Sequence, residues 1–432
     1  MKSFLQISYL FLTATMMINA QSDWIVYKYP SLPDNRVYSL AFDTHGNKWI
    51  GTYDGLVKFD GKEWLSFNSS NSGLPYNTVY SIAIDADDNK WIGTYSGGLA
   101  KFSGATISNE GWTVYNTSNS GLPNNYILNS IVIDKNGNKW IGTKAGLAKF
   151  EGISLGSAGW TVYNSGSTGL PNDNVKHIAI STNDILWIGT DDGLARFDGA
   201  NGWNVFKPSN PISSTGMPHN NVMCIDFDVN ANVWIGTSGG LVKYNGSLMT
   251  TYKTTNSQIP SNSITAIAIE NNGNIWLGTD QYGLVKYDGV NWITFNKSNS
   301  SLPHNQINFI KIDGSGTKWI GTYAGLALFN ENGIVSVKEN SDLLPTNYEL
   351  MQNFPNPFNP STRIKFNIPK AGNYSLSIYN VLGQEVAKLH KGNLNAGLHE
   401  ATFNASQLNS GVYFYKLSGS EINITKKMML LK

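Results

Sequence analysis

Variable positions in a repeated sequence carry side chains that can bind a ligand. The sequence Trp-aliphatic-Gly-Thr occurs seven times, with aliphatic residues that are Ile in six copies and Leu277 in the other. The residue after the Thr differs between copies, as does the residue after an earlier Leu-Pro pair or its equivalent. Aromatic rings and imidazoles there can stack on and hydrogen-bond a sugar or a peptide. The predicted binding residues are Tyr53, Tyr95, Tyr282, Tyr323, Tyr76, His219 and His304. The alternative is ordinary variation of surface loops.

Catalytic and metal-binding patterns are weakly represented. None of the six histidines pairs with another at metal-ligand spacing, and no nucleophile elbow, phosphate loop or dinucleotide fingerprint occurs. The run Asp134-Lys135-Asn136-Gly137-Asn138 resembles the start of a calcium loop, but the acidic residue at loop position twelve is missing. Asn-Gly also favours a hairpin turn. We therefore predict no catalytic residues, no metal site and no cofactor.

The repeats themselves indicate how these residues are positioned. The Trp positions are 42 to 49 residues apart, which is the length of four short strands and their turns. Each copy can be cut into four strands: a Leu-Pro turn or its equivalent precedes strand one, and the Trp-Ile-Gly-Thr run is strand two. Strand three is Gly-Leu-x-Lys-Phe or a variant, and strand four is Trp-x-x-aromatic, with Met249 in the Trp position of one copy. An acidic residue stands six positions before the Trp in every copy except the fourth, where Ser181 replaces it. The sequence predicts a seven-bladed β-propeller over residues 21–340.

The repeated tryptophans are predicted to form the core. Trp and Gly of strand two share one face, while the aliphatic residue and Thr share the other. A blade packs between two neighbours, so both faces need apolar character. Burial of one Trp contributes at most about 4 to 6 kcal/mol. The single cysteine, Cys224, lies in an apolar strand and is predicted to be buried rather than reactive.

Two segments compete for the last position in the ring. Trp24-Ile25-Val26-Tyr27 matches strand four but precedes the first Leu-Pro turn, whereas residues 334–337 occupy the expected place without the two aromatic residues. Pairing of the two ends in one sheet removes an open edge. We therefore favour closure by the N-terminal segment. In the alternative, residues 334–337 complete the blade and the N-terminal segment lies over the rim.

The first twenty residues have the features of a secretory signal peptide. Lys2 is followed by an apolar run from Phe4 to Ile18, and cleavage is predicted between Ala20 and Gln21. An uncleaved anchor is the alternative. No later segment has the apolar length of a membrane span, so none is expected after signal removal. The formal net charge of +1 offers no field that would attract nucleic acid.

The C-terminal region is a different sequence. Residues 341–347 are predicted to be a linker, and residues 348–432 alternate strands with turns, which predicts a small antiparallel β-sandwich. The fold class is therefore all-β: a seven-bladed β-propeller followed by a small β-sandwich. The sandwich begins with a proline-rich motif containing Asn353, Pro355, Asn356, Pro357, Phe358, Asn359 and Pro360.

Both regions resemble known families. The propeller region resembles the two-component regulator propeller repeat through the motif Asp-x-x-Gly-Asn-x-Trp-Ile-Gly-Thr-x-x-Gly-Leu-x-Lys-Phe. This repeat is found in bacterial periplasmic sensors and in free-standing secreted proteins. That resemblance implies a propeller that senses or binds a ligand, with glycans as the usual candidates. No kinase-like segment follows here, so signalling across a membrane is not expected.

The last region resembles the C-terminal sorting domain of type IX secretion cargo. The resemblance rests on residues 353–360, Gly383 within Tyr379–Gly383, Gly411–Tyr415 and the closing Lys426–Lys432. It implies an address read by the outer-membrane translocon, with the Sec signal peptide acting first. A carbohydrate-binding sandwich is the alternative, although residues 345–432 contain no Trp.

The sequence thus predicts a secreted or cell-surface, non-catalytic binding protein with the type IX translocon and an extracellular glycan or protein as partners. An extracellular polysaccharide hydrolase or lyase on a propeller scaffold is one alternative. A structural surface or adhesion component is the other.

Overall fold

The protein is described by a computed structural model over residues 23–104, 110–152, 156–199, 202–208, 216–331, 348–353, 355–394, 397–420 and 422–431. The chain divides into two compact units, Met1–Val335 and Ser336–Lys432. The predicted signal cleavage between Ala20 and Gln21, residues 334–337 and the linker over 341–347 lie outside the described residues. The domain boundaries therefore stay predictions.

The first unit contains seven four-stranded antiparallel sheets within its described residues, each made by one repeat. Strand one is innermost and surrounds a central channel. Counted outward, the strands are Val37–Phe42, Lys48–Thr52, Gly55–Phe59 and Trp64–Phe67 in blade 1; Val79–Ile84, Lys90–Thr94, Leu99–Phe102 and Trp112–Tyr115 in blade 2; Ile127–Ile133, Lys139–Thr143, Gly146–Phe150 and Trp160–Tyr163 in blade 3; Val175–Ile180, Leu186–Thr190, Gly193–Phe197 and Trp203–Phe206 in blade 4; Val222–Phe227, Val233–Thr237, Gly240–Tyr244 and Met249–Tyr252 in blade 5; Ile264–Ile269, Ile275–Thr279, Leu284–Tyr287 and Trp292–Phe295 in blade 6; and Ile307–Ile312, Lys318–Thr322, Gly325–Phe329 and Trp24–Tyr27 in blade 7.

The N-terminal segment closes the ring, as predicted. Trp24–Tyr27 pairs antiparallel with Gly325–Phe329, and the Trp24 ring stacks on Phe329 at 4.4 Å between centroids. The equivalent pair in blade 2, Phe102 and Trp112, stacks at the same 4.4 Å. The innermost strands contact one another around the whole ring, including blade 7 with blade 1. There the Asn308 side-chain amide donates to the Val37 carbonyl oxygen at 2.9 Å.

The repeated tryptophans form the core, as predicted. All seven have between 0% and 5% of their surface exposed. Trp49 packs between Phe67 of its own blade and Phe102 of the next, at 5.7 and 5.9 Å between centroids. Gly51 gives the next blade room, because a Cβ there would lie 2.7 Å from Val79. Close packing of neighbouring blades therefore depends on this glycine.

The acidic residue six positions before the Trp is a hydrogen-bond acceptor for its indole. Asp43, Asp85, Asp134, Asp228 and Asp313 accept from Nε1 of the Trp in the same repeat at 2.7 to 3.0 Å. Blade 6 differs, because Glu270 bonds Lys318 and Asn274 while the buried Trp276 Nε1 has no partner. The acid thus satisfies a buried donor that the core would otherwise leave unpaired.

The second unit is a two-sheet antiparallel structure. One sheet has the order Glu349–Leu350, Ser361–Ile368, Gly397–Asn404, and the other has the order Glu385–Leu394, Gly372–Tyr379, Gly411–Ser418, Asn423–Leu430. Its core includes the fully buried Ile364, Leu376, Tyr415 and Met428. Among the residues that the structure describes, no helix is long and apolar enough to cross a membrane.

Candidate functional site

The two loops that carry the predicted binding residues lie side by side in each blade. Backbone hydrogen bonds join them: Tyr53 N–H donates to the Arg36 carbonyl at 3.1 Å, and Tyr95 N–H donates to the Thr78 carbonyl at 3.0 Å. The threonine that ends strand two holds the turn, since Thr52 Oγ1 donates to the Gly55 carbonyl at 2.8 Å. The repeated Thr therefore fixes the backbone from which the variable side chain projects.

Tyrosines from neighbouring blades form one continuous surface, which we call the tyrosine cluster. Its members are Tyr38 and Tyr53 of blade 1, Tyr76, Tyr80 and Tyr95 of blade 2, Tyr126 of blade 3 and Tyr323 of blade 7. The ring centroids of Tyr38 and Tyr80 are 4.7 Å apart, those of Tyr80 and Tyr95 are 5.9 Å apart, and those of Tyr95 and Tyr126 are 4.6 Å apart.

Four of the predicted tyrosines belong to this cluster and keep a large part of their surface exposed. The exposed fractions are 44% for Tyr53, 39% for Tyr76, 36% for Tyr95 and 43% for Tyr323. The predicted His304 adjoins the cluster, with its ring 6.0 Å from Tyr323. The exposed aromatic faces are therefore available to a ligand.

Arg36 connects blade 1 to blade 7 within the cluster. Its guanidinium donates to the Asp34 carboxylate through Nε at 2.9 Å and Nη2 at 2.8 Å, and lies 3.3 Å from the Tyr53 ring centroid. The Arg36 hydrogen bond lowers the pKa of Asp34, and Asp34 in turn raises the pKa of Arg36. The Tyr323 phenol lies close enough to the guanidinium to raise the pKa of Arg36 further. The pair stays ionised and holds two tyrosines in place.

Three members of the cluster were not predicted from the sequence. Tyr38 and Tyr80 lie inside strand one, and Tyr126 stands just before it. Burial raises the pKa of Tyr38 and of Tyr80, with the neighbouring phenols acting in the same direction. A signal was present, because the positions on either side of the first aliphatic residue of strand one vary among the repeats.

The remaining predicted residues lie elsewhere on the ring. Tyr282 belongs to blade 6 and is 51% exposed, and His219 belongs to the loop before strand one of blade 5. Polar pairs lie at the same end of blades 4 and 5. Lys176, the second residue of strand one, pairs with Asp191 at 2.6 Å, and Asn221 bonds Ser238 at 2.8 Å. The structure therefore brings five of the seven predicted residues together on blades 7, 1 and 2, and leaves Tyr282 and His219 apart from them.

The central channel holds three ionisable side chains that break the repeat. The channel has a volume of about 440 Å³ and is lined by the seven innermost strands, including His177, Asp226 and Lys311. At the position of Asp226 and Lys311, four of the other five blades have Ala and blade 3 has Val132. Sequence reasoning missed them because they lie within otherwise apolar strands.

The environment of the channel perturbs two of these groups. Enclosure by protein raises the pKa of Asp226, although Phe227 N–H donates to its carboxylate at 2.8 Å and the Lys311 charge opposes the shift. The same enclosure lowers the pKa of His177 to about 4, with the Lys311 charge adding to the effect. A carboxyl group with a raised pKa in a cleft is suited to proton transfer.

One group of side chains has the proximity of a metal site. Asp43, His45 and Asp88 place ligand atoms within 4.8 Å of one another. Both oxygens of Asp43 already accept hydrogen bonds, from His45 N–H and Asn47 on one side and from Trp49 on the other. Asp88 faces the Lys90 ammonium at 2.9 Å. These contacts describe a hydrogen-bonded turn, and a cation would have to displace them.

The proline-rich motif of the tail fastens its first residues to its last strands. Asn353 is 1% exposed, and its amide donates to the Pro355 carbonyl and to Thr362 Oγ1, both at 3.0 Å. Phe358 is 2% exposed, and its N–H donates to the Met429 carbonyl at 2.9 Å. Asn356 Oδ1 accepts from Met429 N–H at 2.9 Å. Asn353, Pro355, Asn356 and Phe358 thus have a structural role, as does Pro360, whose carbonyl accepts from Ala405 N–H at 2.8 Å.

Family comparisons agree with both halves of this description. Residues 352–431 match the secretion system C-terminal sorting domain, and residues 31–54, 121–145 and 258–281 match the two component regulator propeller. The chain therefore carries two-component regulator propeller repeats and a type IX secretion sorting domain. The sorting domain indicates export to the cell surface or the medium and implies an interaction with the secretion system. A comparison with curated protein sequences gives no match.

Solved structures share the propeller fold. The extracellular domain of the putative hybrid two component system BT3049 from B. thetaiotaomicron has a TM-score of 0.61 at 20% identity, covering 95% of this chain and 58% of that one. PorZ, a surface component of the type IX secretion system of Porphyromonas gingivalis, has a TM-score of 0.58 at 18% identity, covering 93% and 60%. This chain thus spans less than two thirds of either protein.

A third structure is an enzyme. Virginiamycin B lyase from Staphylococcus aureus has a TM-score of 0.54 at 14% identity, covering 71% of this chain and 99% of that one. At these identities the likeness concerns the fold alone.

Proposed function

We propose that this exported propeller protein binds an extracellular glycan or protein through the tyrosine cluster, without catalysis. The observation that supports the proposal is the continuous run of ring contacts from Tyr38 through Tyr80 and Tyr95 to Tyr126. Aromatic faces that stay exposed and do not rearrange bind with a small loss of conformational entropy. Export through the type IX sorting domain supports the proposal, because an exported protein can meet extracellular ligands.

The polar groups around the rings suit a hydroxyl-rich ligand. Arg36 is held flat against Tyr53, and the Lys144 ammonium lies 4.4 Å from the Tyr126 ring centroid. A sugar ring can stack on a phenol face while its hydroxyls contact the phenol oxygens and these cations. A protein ligand would use the same faces through its own aromatic or proline side chains.

A glycan-array screen of the purified chain tests this proposal. We expect the triple variant Tyr53→Ala/Tyr95→Ala/Tyr323→Ala to bind at least about tenfold more weakly, because each aromatic contact contributes roughly 0.5–1.5 kcal/mol. Tyr282→Ala, which removes an exposed tyrosine outside the cluster, is the matched control and is expected to bind normally. Equal binding by the triple variant and the parent chain would exclude the cluster as the site.

A second candidate function rests on the channel. Asp226 has a raised pKa in the central channel, where the Lys311 charge acts on it, and such a carboxyl group can serve as a general acid in a polysaccharide hydrolase or lyase. Turnover of polysaccharides by the purified chain, lost in Asp226→Asn and kept in the tyrosine variant, would favour this enzyme. Absence of turnover across a broad panel favours the binding role.

A further inference from the structure

The hairpin at residues 380–384 of the tail repeats a turn found in every blade. Asn380 N–H donates to the Gln384 carbonyl and Gly383 N–H donates to the Asn380 carbonyl, both at 3.0 Å. In blade 1 the same two bonds occur: Asp43 N–H donates to the Asn47 carbonyl, and Gly46 N–H donates to the Asp43 carbonyl. The side chain of the first residue caps both turns, since Asn380 Oδ1 accepts from Leu382 N–H and Gln384 N–H as Asp43 Oδ1 accepts from His45 N–H and Asn47 N–H.

Eight copies of one turn make their tips directly comparable. The second and third residues form the tip and are exposed in every copy. In the propeller they are Thr44-His45, Ala86-Asp87, Lys135-Asn136, Thr182-Asn183, Val229-Asn230, Asn271-Asn272 and Gly314-Ser315. Only Val229 among these fourteen residues is a large aliphatic. In the tail both tip residues are large aliphatics, Val381 at 67% and Leu382 at 79% exposure.

The turn itself gives no reason for this difference. The first and fourth residues set its geometry, through the Asn380 side chain and the positive φ of +79° at Gly383. The same backbone bonds form in all seven blades with at most one large aliphatic residue at the tip, so the turn does not require the Val381-Leu382 pair. Their exposure leaves apolar surface in water that burial against a partner would recover.

We propose that the tip Val381-Leu382 is the part of the tail that inserts into an apolar cleft of a protein of the type IX secretion machinery. The tip belongs to residues 352–431, the segment that matches the secretion sorting domain, so the partner of this segment is the partner of the tip. The turn is held by five hydrogen bonds, among them Asn380 Nδ2 to Gln384 Oε1 at 2.8 Å. The two side chains are therefore presented in a fixed geometry, and little entropy is lost on docking.

Export of the full-length chain from cells that carry type IX secretion machinery tests this inference. The variant Val381→Ser/Leu382→Ser keeps Asn380 and Gly383, so it is expected to fold with an unchanged unfolding midpoint. We expect at least about tenfold less of this variant outside the cell, because loss of two buried aliphatic side chains weakens binding by that factor or more. Val229→Ser, which removes the one large aliphatic residue at a tip of the same turn in the propeller, is the matched control and is expected to be exported normally.

A graft tests whether export depends on the position of the apolar tip or only on its apolar character. Adding Thr44→Val/His45→Leu to the double variant restores an apolar tip on the same turn in blade 1, and we expect no recovery of export. Normal export of Val381→Ser/Leu382→Ser would overturn the proposal. So would tip-dependent binding of the purified chain to phosphatidylethanolamine–phosphatidylglycerol vesicles, or tip-dependent dimerisation in analytical ultracentrifugation, because either result assigns the tip another occupant.

Discussion

The propeller has two arcs that differ on both of their surfaces. In the first arc, blades 7, 1, 2 and 3, the residue before the repeated Trp is Lys, and its ammonium lies over the Trp ring of the preceding blade at 4.7 to 5.7 Å. In the second arc, blades 4, 5 and 6, that residue is Leu186, Val233 or Ile275. The tyrosine cluster also belongs to the first arc.

This difference shows which parts of a blade the fold requires. A lysine stem and a branched aliphatic side chain both fill the space between neighbouring blades, so either keeps the packing. The strand pattern and the Trp core are present in both arcs. What changes is the chemistry at the edges of the blades, where a repeat protein can vary without loss of its core.

Removal of one core tryptophan from each arc is expected to have the largest effect. Trp91→Ala and Trp187→Ala should each lower the free energy of unfolding by about 3–5 kcal/mol, because both leave large cavities. Trp91→Ala should be the more destabilising, since it also leaves Asp85 without the indole donor and the Lys101 and Lys139 ammonium groups without their ring. Urea denaturation measures both values. A smaller loss of unfolding free energy for Trp91→Ala than for Trp187→Ala would show that the extra contacts of Trp91 do not stabilise the protein.

Removal of the carboxylate that accepts from the indole is expected to have the second-largest effect, and this effect should differ between the two arcs. Asp85→Ala is expected to lower the free energy of unfolding by about 1–3 kcal/mol, because it leaves the buried Trp91 Nε1 unpaired. Ser181→Ala at the equivalent position of blade 4 should change it by less than about 0.5 kcal/mol. Equal effects in the same denaturation experiment would show that the hydrogen bond contributes no stability.

Acid should remove the contribution of these aspartates. Hydrogen bonds from the Trp and Asn side chains outweigh partial burial and lower the pKa of Asp85, Asp134 and Asp228 from 3.8. A depressed folded pKa stabilises the protein above the unfolded value, and this stability is lost as the pH falls through the folded pKa. The difference between the parent chain and Asp85→Ala should therefore shrink from pH 6 to pH 2. A difference in unfolding free energy that does not change with pH would show that the ionised carboxylate is not the source of the stability.

The smallest effect is expected where the arcs exchange Lys for an aliphatic residue. Burial lowers the pKa of Lys139, so its charged form costs stability at neutral pH, while its contact with Trp91 at 4.7 Å offsets part of that cost. Lys139→Leu, which copies blade 4, should change the free energy of unfolding by less than about 1 kcal/mol. Lys139→Ala is the control and should cost more, because it removes the stem. A large loss in Lys139→Leu would mean that the cation is essential.

The fold could be predicted from the sequence because the same strand and tryptophan pattern occurs in every blade. The four strands of each repeat follow the order predicted from its motifs, and the aromatic pattern of Trp24–Tyr27 identified the closing strand. The spacing of Asp43 and Trp49 was also visible, but its meaning was not. A hydrogen bond across a hairpin depends on side-chain direction, which spacing alone does not give.

The site was only partly readable, for a different physical reason. Exposed loop residues such as Tyr53 and Tyr95 stand out as variable positions in a constant repeat. Tyr38 and Tyr80 sit within strands whose two faces are both apolar, so alternation cannot tell a core side chain from one at the end of the channel. The same ambiguity hid Asp226.

Closure by the N-terminal strand has a consequence for biogenesis. The seventh sheet joins Trp24–Tyr27 to Gly325–Phe329, so a nascent chain cannot complete its annulus until nearly the whole propeller has been synthesised. The sorting segment follows that last strand. Every polypeptide that bears the export address therefore already contains all the strands of a finished ring, and a product that terminates before Gly325–Phe329 lacks both.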